Sequence, residues 1–529
     1  MRPSISPGRR PSPQEETATG CSDDRPREEC GVFGLYAPGH EVSRLSYFAL
    51  YALQHRGQES AGIAAADRGG HIITRRELGL VSQVFTENDL RTLAGELAIG
   101  HVRYSTTGSN AWENSQPVQR SAGTDGSRRE VALAHNGNLI NALELHRELV
   151  DAGVGFSSTS DSEIIAAMIA THPAEEVEDA IADVLPRLRG AFSIVAMTKD
   201  RVVAFRDPHG LRPLAIGTLD PAPGEGGRGS DPVRYCVASE SCAFDIIGAR
   251  FLRDVAPGEL VTLSEGGLRS RMVAGGQRRA FCVFEYIYFA RPDSRMNDQV
   301  LQVARSRMGE ILWHEAPVEA DLVIAVPDSG NPAARGLARA AGLPQDDGFV
   351  KNRYVARTFI QPGQELRKHG LRLKFNPLPE VIAGKRLVVV DDSIVRGNTT
   401  RQIVQMLRDA GAAEIHMRIS APPIKHPCHY GIDMSTREEM IAHGRSTEEI
   451  AAELGCDSLH YLSLDGVYEA VRATRATHCD ACFSGSYPLA GTDGANGKYS
   501  LEQAPGTEDG IPPVQGPRAD SPPPPLVRA

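Results

Sequence analysis

Apolar and polar positions alternate in two different rhythms along the chain. In the first stretch, short apolar runs at 31–36, 61–66 and 131–134 are bounded by Gly, Asp or Asn, and AFSIVAMT (191–198), RVVAF (201–205) and PLAIG (213–217) follow one another across tight turns. Runs of this length and bounding read as strands. DSEIIAAMIATH (161–172) carries a helical pattern, and the Gly-, Pro- and Asp-rich TLDPAPGEGGRGSDPVR (218–234) reads as a surface loop. Strands joined largely by hairpins, with helices among them, predict a layered α+β domain. Beyond about residue 280 the rhythm changes. DLVIAVPDSG (321–330), GKRLVVVDDSIVRGNTT (384–400) and AEIHMRISAPP (413–423) each contain a buried strand, and RQIVQMLRDAG (401–411) reads as a helix. Strands alternating with helices predict βαβ units and a parallel sheet, an α/β domain. The boundary between the two falls at 270–285, and no internal repeat is visible.

Composition adds the ends and the class. At 529 residues the chain is too long for one ordinary core. Residues 1–29 contain five prolines and no apolar stretch long enough for a secretory signal, while 489–529 holds eight prolines, six glycines and a PPPP run. Neither end can bury enough apolar surface to offset its ordering entropy, so both are expected to lack structure and the folded part to span 30–488. With 41% hydrophobic and 23% charged residues the profile is soluble and globular. The formal charge of -10 gives no general attraction to nucleic acid. No run approaches the ~18 apolar residues that cross a bilayer. Nine cysteines in a chain with no secretion signal point to reduced thiols in the cytoplasm.

The strongest chemical signal is VVVDDSIVRGNTT. Its valines form a strand, and Asp391 and Asp392 stand at the carboxyl end, where open α/β sheets bind ligands. The loop from Ser393 leads into a helix whose backbone N–H groups and dipole favour a phosphate. Two adjacent carboxylates suit ribose hydroxyls or magnesium. An acidic turn before a Thr-capped helix has the same local pattern. VPDSGNPAA (326–334) ends its strand in small residues that let backbone amides approach a diphosphate, and the basic KNRYVARTFIQPGQELRKHGLRLKFNP (351–377), broken by Pro-Gly, reads as a solvated loop or a closing lid.

The second signal is Cys30, at the join between the polar leader and the apolar GVFGLY. A lone cysteine beside glycine is usually incidental, but LQHRGQESAGI (53–63), HVRYST (101–106), HNGNL (135–139) and SDSE (160–163) follow in order. Together these resemble the glutamine-amidotransferase domain of the N-terminal-nucleophile class, and VVVDDSIVRGNTT resembles the phosphoribosyl pyrophosphate motif of type I phosphoribosyltransferases. Over almost all of 30–488 the chain is similar to the amidophosphoribosyltransferase family, in its propeptide- and iron–sulfur-containing branch.

That resemblance implies an N-terminal-nucleophile αββα domain (30–270, type 2 glutamine amidotransferase) followed by a type I phosphoribosyltransferase parallel-sheet domain (280–488). The implied reaction is glutamine plus 5-phosphoribosyl 1-pyrophosphate plus water giving 5-phosphoribosylamine, glutamate and pyrophosphate, with ammonia passed between two sites. Cys30 must then be the first residue of the mature chain, its α-amine acting as base to its own thiol. An amide nitrogen cannot do this, so residues 1–29 are expected to be a propeptide cut between Glu29 and Cys30. By the same resemblance Arg103 pairs with the glutamine carboxylate, Asp161 with its ammonium, and Asn136 with the Gly137 N–H forms the oxyanion hole. The resemblance gives the pyrophosphate to Asp328, Ser329 and Gly330, and the basic segment 351–377 offers Lys351, Arg353, Arg357 and Lys374 as candidates for neutralising its charge. Asp391 and Asp392 handle the ribose, and Ser393, Ile394, Val395, Arg396, Gly397, Asn398, Thr399 and Thr400 the 5′-phosphate. One magnesium ion per subunit is assigned to Ser329, Asp391 and Asp392.

THCDACFSG (477–485) holds a CxxC at Cys479 and Cys482. With no second CxxC a zinc ribbon is poorly supported. The resemblance proposes Cys282 and Cys428 as partners, giving four thiolates for one 4Fe-4S cluster per subunit; zinc on the same four is the alternative. Cys21, Cys236, Cys242 and Cys456 read as buried or incidental, with Cys456 the substitute ligand. A homotetramer inhibited by purine nucleotides is the family's implication alone. Glucosamine-6-phosphate synthase would share the first half but lack VVVDDSIVRGNTT. A phosphoribosyl-pyrophosphate-binding regulator with a vestigial amidotransferase domain would need a DNA-binding module, which the sequence does not display, and would not need Cys30, Arg103 and Asn136 together.

Overall fold

The computed structural model describes residues 29–67, 69–104, 109–123, 129–220, 234–352, 374–432, 434, 436–489 and 501–502. The first half builds two antiparallel sheets. One has seven strands, in the order Arg250–Asp254, Ala215–Leu219, Arg234–Ala238, Gly31–Tyr36, Leu97–Arg103, Ser60–Ala66, Ile72–Leu78. The other has six, ordered Gly267–Met272, Glu259–Ser264, Val202–Arg206, Gly190–Met197, Arg129–Leu139, Val118–Ala122. Side-chain alternation explains why they stack. Val32 enters the core between the sheets with Ala134, Val195 and Val202, whereas Phe33 and Leu35 face the other way, onto Leu50 and Leu53 at the end of helix Val42–Ala52. Beyond the six-stranded sheet, Ile164, Ile165 and Ile169 of helix Asp161–Thr171 pack on Val131, Leu133 and Ile194. The four layers are therefore helix, sheet, sheet, helix. Each fully buried Val, Leu or Phe contributes about 1.5–3 kcal/mol. Gly34 lies at the sheet contact itself, where a Cβ would sit 2.5 Å from Val195 Cγ1.

Two strands differ from the expectation. The run 131–134 is only the middle of Arg129–Leu139, because His135 and Asn136, polar in sequence, are buried within the sheet. The run 213–217 starts late, at Ala215.

In the second half, Leu322–Ala325, Arg386–Asp391, Glu414–Ile419 and Ser458–Tyr461 form a parallel sheet in that order. Val323 also makes a parallel bridge to Gln345 on its other side. The chain thus runs second, first, third, fourth, fifth across the sheet, and its order reverses between the first and third strands. Sheets of this kind take ligands in the crevice at such a reversal, outside the carboxyl ends of the strands. Helix Leu301–Glu315 crosses helix Asn331–Ala341 at close range: a Cβ on Gly309 would lie 1.8 Å from the Ala333 oxygen, and one on Gly336 1.8 Å from the Ser306 oxygen.

Of the boundary expected at 270–285, residues 271–279 are exposed or half-buried and follow the last strand of the first half, Gly267–Met272, while the chain from 280 onward is core. Phe281, Val283, Phe284, Tyr286 and Ile287 are buried, and Phe281–Cys282 pairs in parallel with His478–Cys479 near the other end of the second half. Within the two ends expected to lack structure, Glu29 is buried, Leu501 packs with the core under helix Asp161–Thr171, and Glu502 accepts from the Ser109 N–H at 2.8 Å. Each has a specific partner that composition does not report. Among the described residues no helix is long and apolar enough to cross a membrane.

Gly309→Ala is expected to destabilise the second half by about 2–3 kcal/mol, because a backbone oxygen, not a movable side chain, occupies the methyl's place. Faster hydrogen exchange in 301–315 and 331–341, with exchange in 31–36 unchanged, is the check.

Candidate functional site

Cys30 directly precedes the strand Gly31–Tyr36, which is hydrogen-bonded on both sides, and its side chain is buried. Its thiol donates to the Tyr104 carbonyl at 3.3 Å. Burial pushes the thiol up to about 11, against the backbone at Tyr104 and the charge of Arg103. Arg103 ends the adjacent strand Leu97–Arg103, whose register pairs Val102 with Gly31. Its Nη2 donates to the Ser109 carbonyl at 3.3 Å and its Nη1 lies 3.8 Å from Glu59. Asp161 begins its helix. One carboxylate oxygen accepts from the Leu139 N–H at 3.0 Å, and the other is 3.6 Å from His135 Nδ1. Burial would raise this carboxyl, but His135 and the Leu139 and Ser162 backbone outweigh it and hold it below the ordinary range. An anion is therefore stable beside the thiol.

Asn136 and Gly137 lie near the end of Arg129–Leu139, which packs across the sheet interface from Gly31–Tyr36. The Asn136 Nδ2 is buried and has no hydrogen-bond partner among the described residues. A buried donor left so costs about 1–3 kcal/mol, and its retention asks for an explanation. Gly137 adopts φ +151°, and a Cβ there would fall 2.0 Å from the Ala191 oxygen, so only glycine fits.

A buried charge cluster escaped the sequence reading. Glu29, immediately before Cys30, pairs with Arg212, and its other oxygen lies 3.6 Å from Arg56. Arg56 also binds Glu240 and, at 2.6 Å, Glu285. Burial, with Glu285 alongside, pushes the Glu29 carboxyl well up, whereas Arg56 and His55 hold Glu240 low despite its burial. Arg56 stands inside the quoted LQHRGQ run, but its partners come from positions 29, 240 and 285, and no local pattern announces them.

In the second half, the loops after the first and third strands converge. Ser329 Oγ donates to Asp392 Oδ1 at 2.5 Å, Ser393 Oγ donates to Asp392 Oδ2 at 2.7 Å, and the Asp392 N–H donates to Asp391 Oδ1 at 2.9 Å. Asp391, Asp392, Ser393, Ile394, Val395 and Thr400 are buried. Gly397, at φ +82°, caps helix Asn398–Asp409, which carries Asn398, Thr399 and Thr400 in its first turn. Arg396 turns to Glu439 at 3.0 Å. Asp328, joined to Pro327 by a cis peptide, is paired with Lys351. Gly330 lets its loop approach the sheet, since a Cβ would lie 2.5 Å from the Val390 oxygen. Lys374 stands over the Phe375 ring at 5.3 Å. Arg353 and Arg357 lie outside the described residues.

Cys282, Cys428, Cys479 and Cys482 line one cavity, with Leu211, Ile432, Ala481, Tyr430, Tyr487 and Arg212. The parallel pairing of Cys282 with Cys479 sets two of the thiols side by side. Burial raises all four, to about 12 at Cys479. Among the described residues no three His, Cys, Asp or Glu side chains already close on a single metal ion. Cys456 is elsewhere, its Sγ 3.6 Å from the Ala451 oxygen, and Cys236 and Cys242 sit in the core outside the seven-stranded sheet. Cys21 lies outside the described residues.

Comparison with known proteins gives the class from both halves. Residues 101–223 match the model of the glutamine amidotransferase domain, and 296–430 match that of the phosphoribosyl transferase domain. The amidophosphoribosyltransferase of Synechococcus elongatus is 50% identical over 469 residues, covering 88% of this chain and 92% of its own; that of Mycobacterium tuberculosis is 50% identical over 491 residues, covering 90% of each. A solved structure described as the allosteric regulatory enzyme of purine biosynthesis superposes with a TM-score of 0.80 at 45% identity, over 87% of this chain and 96% of its own. The Bacillus subtilis glutamine phosphoribosylpyrophosphate amidotransferase, solved with ADP and GMP, gives 0.79 at 44%, over 87% and 97%. The chain belongs to the amidophosphoribosyltransferase family.

A thiol held at about 11 is ionised in about one molecule in a thousand at pH 8. In peptides that retain the Glu29–Cys30 bond, iodoacetamide labelling of Cys30 is expected to quicken about tenfold per pH unit between pH 8 and 10. Mass spectrometry reads the rate; a plateau below pH 9 contradicts the burial account.

Proposed function

We propose that the two sites run the glutamine-dependent synthesis of 5-phosphoribosylamine, the first step of purine biosynthesis, in two linked parts. The chain is an enzyme of the amidophosphoribosyltransferase family, and its substrates are glutamine and 5-phosphoribosyl 1-pyrophosphate. The observation that carries the reading is the unpartnered, buried Asn136 Nδ2 beside Gly137, on the sheet that faces the Cys30 strand. Such a donor pair fits an oxyanion, and it stands with Arg103 and an ionised Asp161 that suit the two ends of an amino acid.

Cleavage between Glu29 and Cys30 frees an α-amine that titrates near ~8 and accepts the thiol proton. The Cys30 sulfur attacks the glutamine carboxamide, the oxyanion forms against Asn136 Nδ2 and the Gly137 N–H, and ammonia leaves. Water then hydrolyses the thioester and releases glutamate. In the second half, the backbone N–H groups of 393–400 and the hydroxyls of Thr399 and Thr400 hold the 5′-phosphate at the helix start. Asp391 and Asp392 orient the ribose, Asp328–Gly330 receive the pyrophosphate, and Lys351 offsets its charge. Ammonia attacks the anomeric carbon as pyrophosphate departs. Ser329, Asp391 and Asp392 supply hard oxygens for one magnesium ion, which neutralises polyphosphate charge when bound.

The four cavity thiols are read as the ligands of one 4Fe-4S cluster per subunit. Four thiols face a shared space that is otherwise largely apolar and carries the cation Arg212, which suits an anionic group. Zinc on the same four thiols is the second reading. Bound by all four, the group supplies a clamp between the join at 282, the loop at 428 and the chain end at 479–482. The reading extends to a cytoplasmic homotetramer inhibited by purine nucleotides, in keeping with the ADP and GMP bound to the Bacillus subtilis relative.

Cys30→Ala is expected to abolish glutamine-dependent synthesis and to leave ammonia-dependent synthesis within about twofold, because the nucleophile serves only the first site. Equal loss of both activities in steady-state assays contradicts the division of labour. Protein purified without oxygen is expected to have an intact mass lacking residues 1–29 and to contain four iron and four sulfide per chain, about one cluster each. One zinc per chain instead would establish the second reading.

A further inference from the structure

The oxyanion donors belong to the first half, yet a loop of the second half forms their outer support. The segment 428–432 lines the cysteine cavity with Cys428, Tyr430 and Ile432 and also touches the strand that carries Asn136 and Gly137. Three contacts fix it there. Asn138 Nδ2 donates to the His429 carbonyl at 3.0 Å. Arg212 donates twice to the Tyr430 carbonyl, from Nε at 2.9 Å and Nη2 at 2.6 Å. Gly431, at φ +104°, lies so near Gly137 that an added Cβ would fall 3.1 to 3.3 Å from the Gly137 backbone. On its other side Gly137 meets the Ala191 oxygen, 2.0 Å from where its own Cβ would be. The Gly137 Cα and carbonyl therefore lie against a loop of the other half, while the Ala191 oxygen of its own domain fills the place of a side chain, and the position of the Cα bears on the direction of the N–H beside it.

We propose that Gly431 is a positioning residue for glutamine hydrolysis: the loop 428–432 sets where the Gly137 N–H points, so the oxyanion hole is complete only when the transferase half is in place against it. An oxyanion donor works only within about 2.7–3.1 Å of the developing charge, and a misplacement near 1 Å costs about a hundredfold in rate. The inference rests on the role given above to Asn136 and Gly137. Asn136→Ala tests that role separately, since it removes a donor without touching the loop.

The experiment is steady-state kinetics on Gly431→Ala in the full-length protein purified without oxygen, with glutamine hydrolysis and ammonia-dependent synthesis measured in parallel. The expected result is a fall in kcat for glutamine hydrolysis of about ten- to a hundredfold, KM for glutamine within about twofold, and ammonia-dependent synthesis unchanged. A rise in KM with kcat unchanged, or wild-type hydrolysis, overturns the proposal. Should both activities fall together, Asn138→Ala, which removes one tether and adds no bulk, decides. A selective fall in kcat for hydrolysis supports the proposal, and unchanged kcat overturns it. Loss of hydrolysis in Asn136→Ala together with wild-type behaviour in Gly431→Ala would preserve the oxyanion hole and remove only the loop's part in it.

Discussion

The buried guanidinium groups of Arg56 and Arg212 are the constraint around which the two halves are assembled. Removing an ion from water costs several kcal/mol, and only close, hydrogen-bonded counter-charges offset it. Here those counter-charges come from distant parts of the chain: Glu29 from the leader, Glu240 from the end of the first half, and Glu285 from the join. Arg212 further spends two N–H groups on the Tyr430 carbonyl of the second half. Separation of the halves would strip both arginines of partners at once. That makes the join a rigid part of the core, as the burial of Phe281 to Ile287 also requires, and it holds the Glu29–Cys30 peptide in one place while the leader is attached.

The same cluster would give the proposed removal of the leader an electrostatic aspect. Glu29, Glu240 and Glu285 crowd two arginines, and burial beside Glu285 drives the Glu29 carboxyl well up. The departure of Glu29 with the leader would leave Arg56 and Arg212 with Glu240 and Glu285, two charges against two. Under the proposed cleavage the protein would shed a carboxyl that burial raises, at the bond whose cutting would free the Cys30 amine.

Much of this was legible in the sequence where chemistry and position coincide. The strand ending at Asp391 and the helix that begins with Asn398, Thr399 and Thr400 stand where the sequence places them, because strand, carboxylates and helix start are contiguous. The start of the strand after Cys30 is legible for the same reason, at a change from polar leader to apolar run. What could not be read depends on contacts between remote positions. The apolar run 131–134 extends as a buried strand through the polar HNG at 135–137, because the groups of His135 meet His101, Gln116 and Ser162 rather than water. The boundary expected at 270–285 ends in residues that are core, because Phe281 and Cys282 pair with His478 and Cys479 from the far end of the chain. Gly431 carries no signal in sequence beyond being glycine, since its reason is a backbone more than 290 residues away.

These contacts bear on why the two activities share one chain. Free ammonia becomes protonated in water and is then no nucleophile, so its release is useful only when the second site can receive it. A first half that owned its whole oxyanion hole could hydrolyse glutamine regardless of its partner. Here the strand proposed to supply the hole is in contact with a loop that lines the cysteine cavity and is held by Arg212. Displacement of that loop would move the Gly137 peptide and slow release, whereas correct seating would permit it. The arrangement needs no hinge or long-range pathway: one carbonyl held by Arg212 and one glycine against another connect the integrity of the second half to the chemistry of the first.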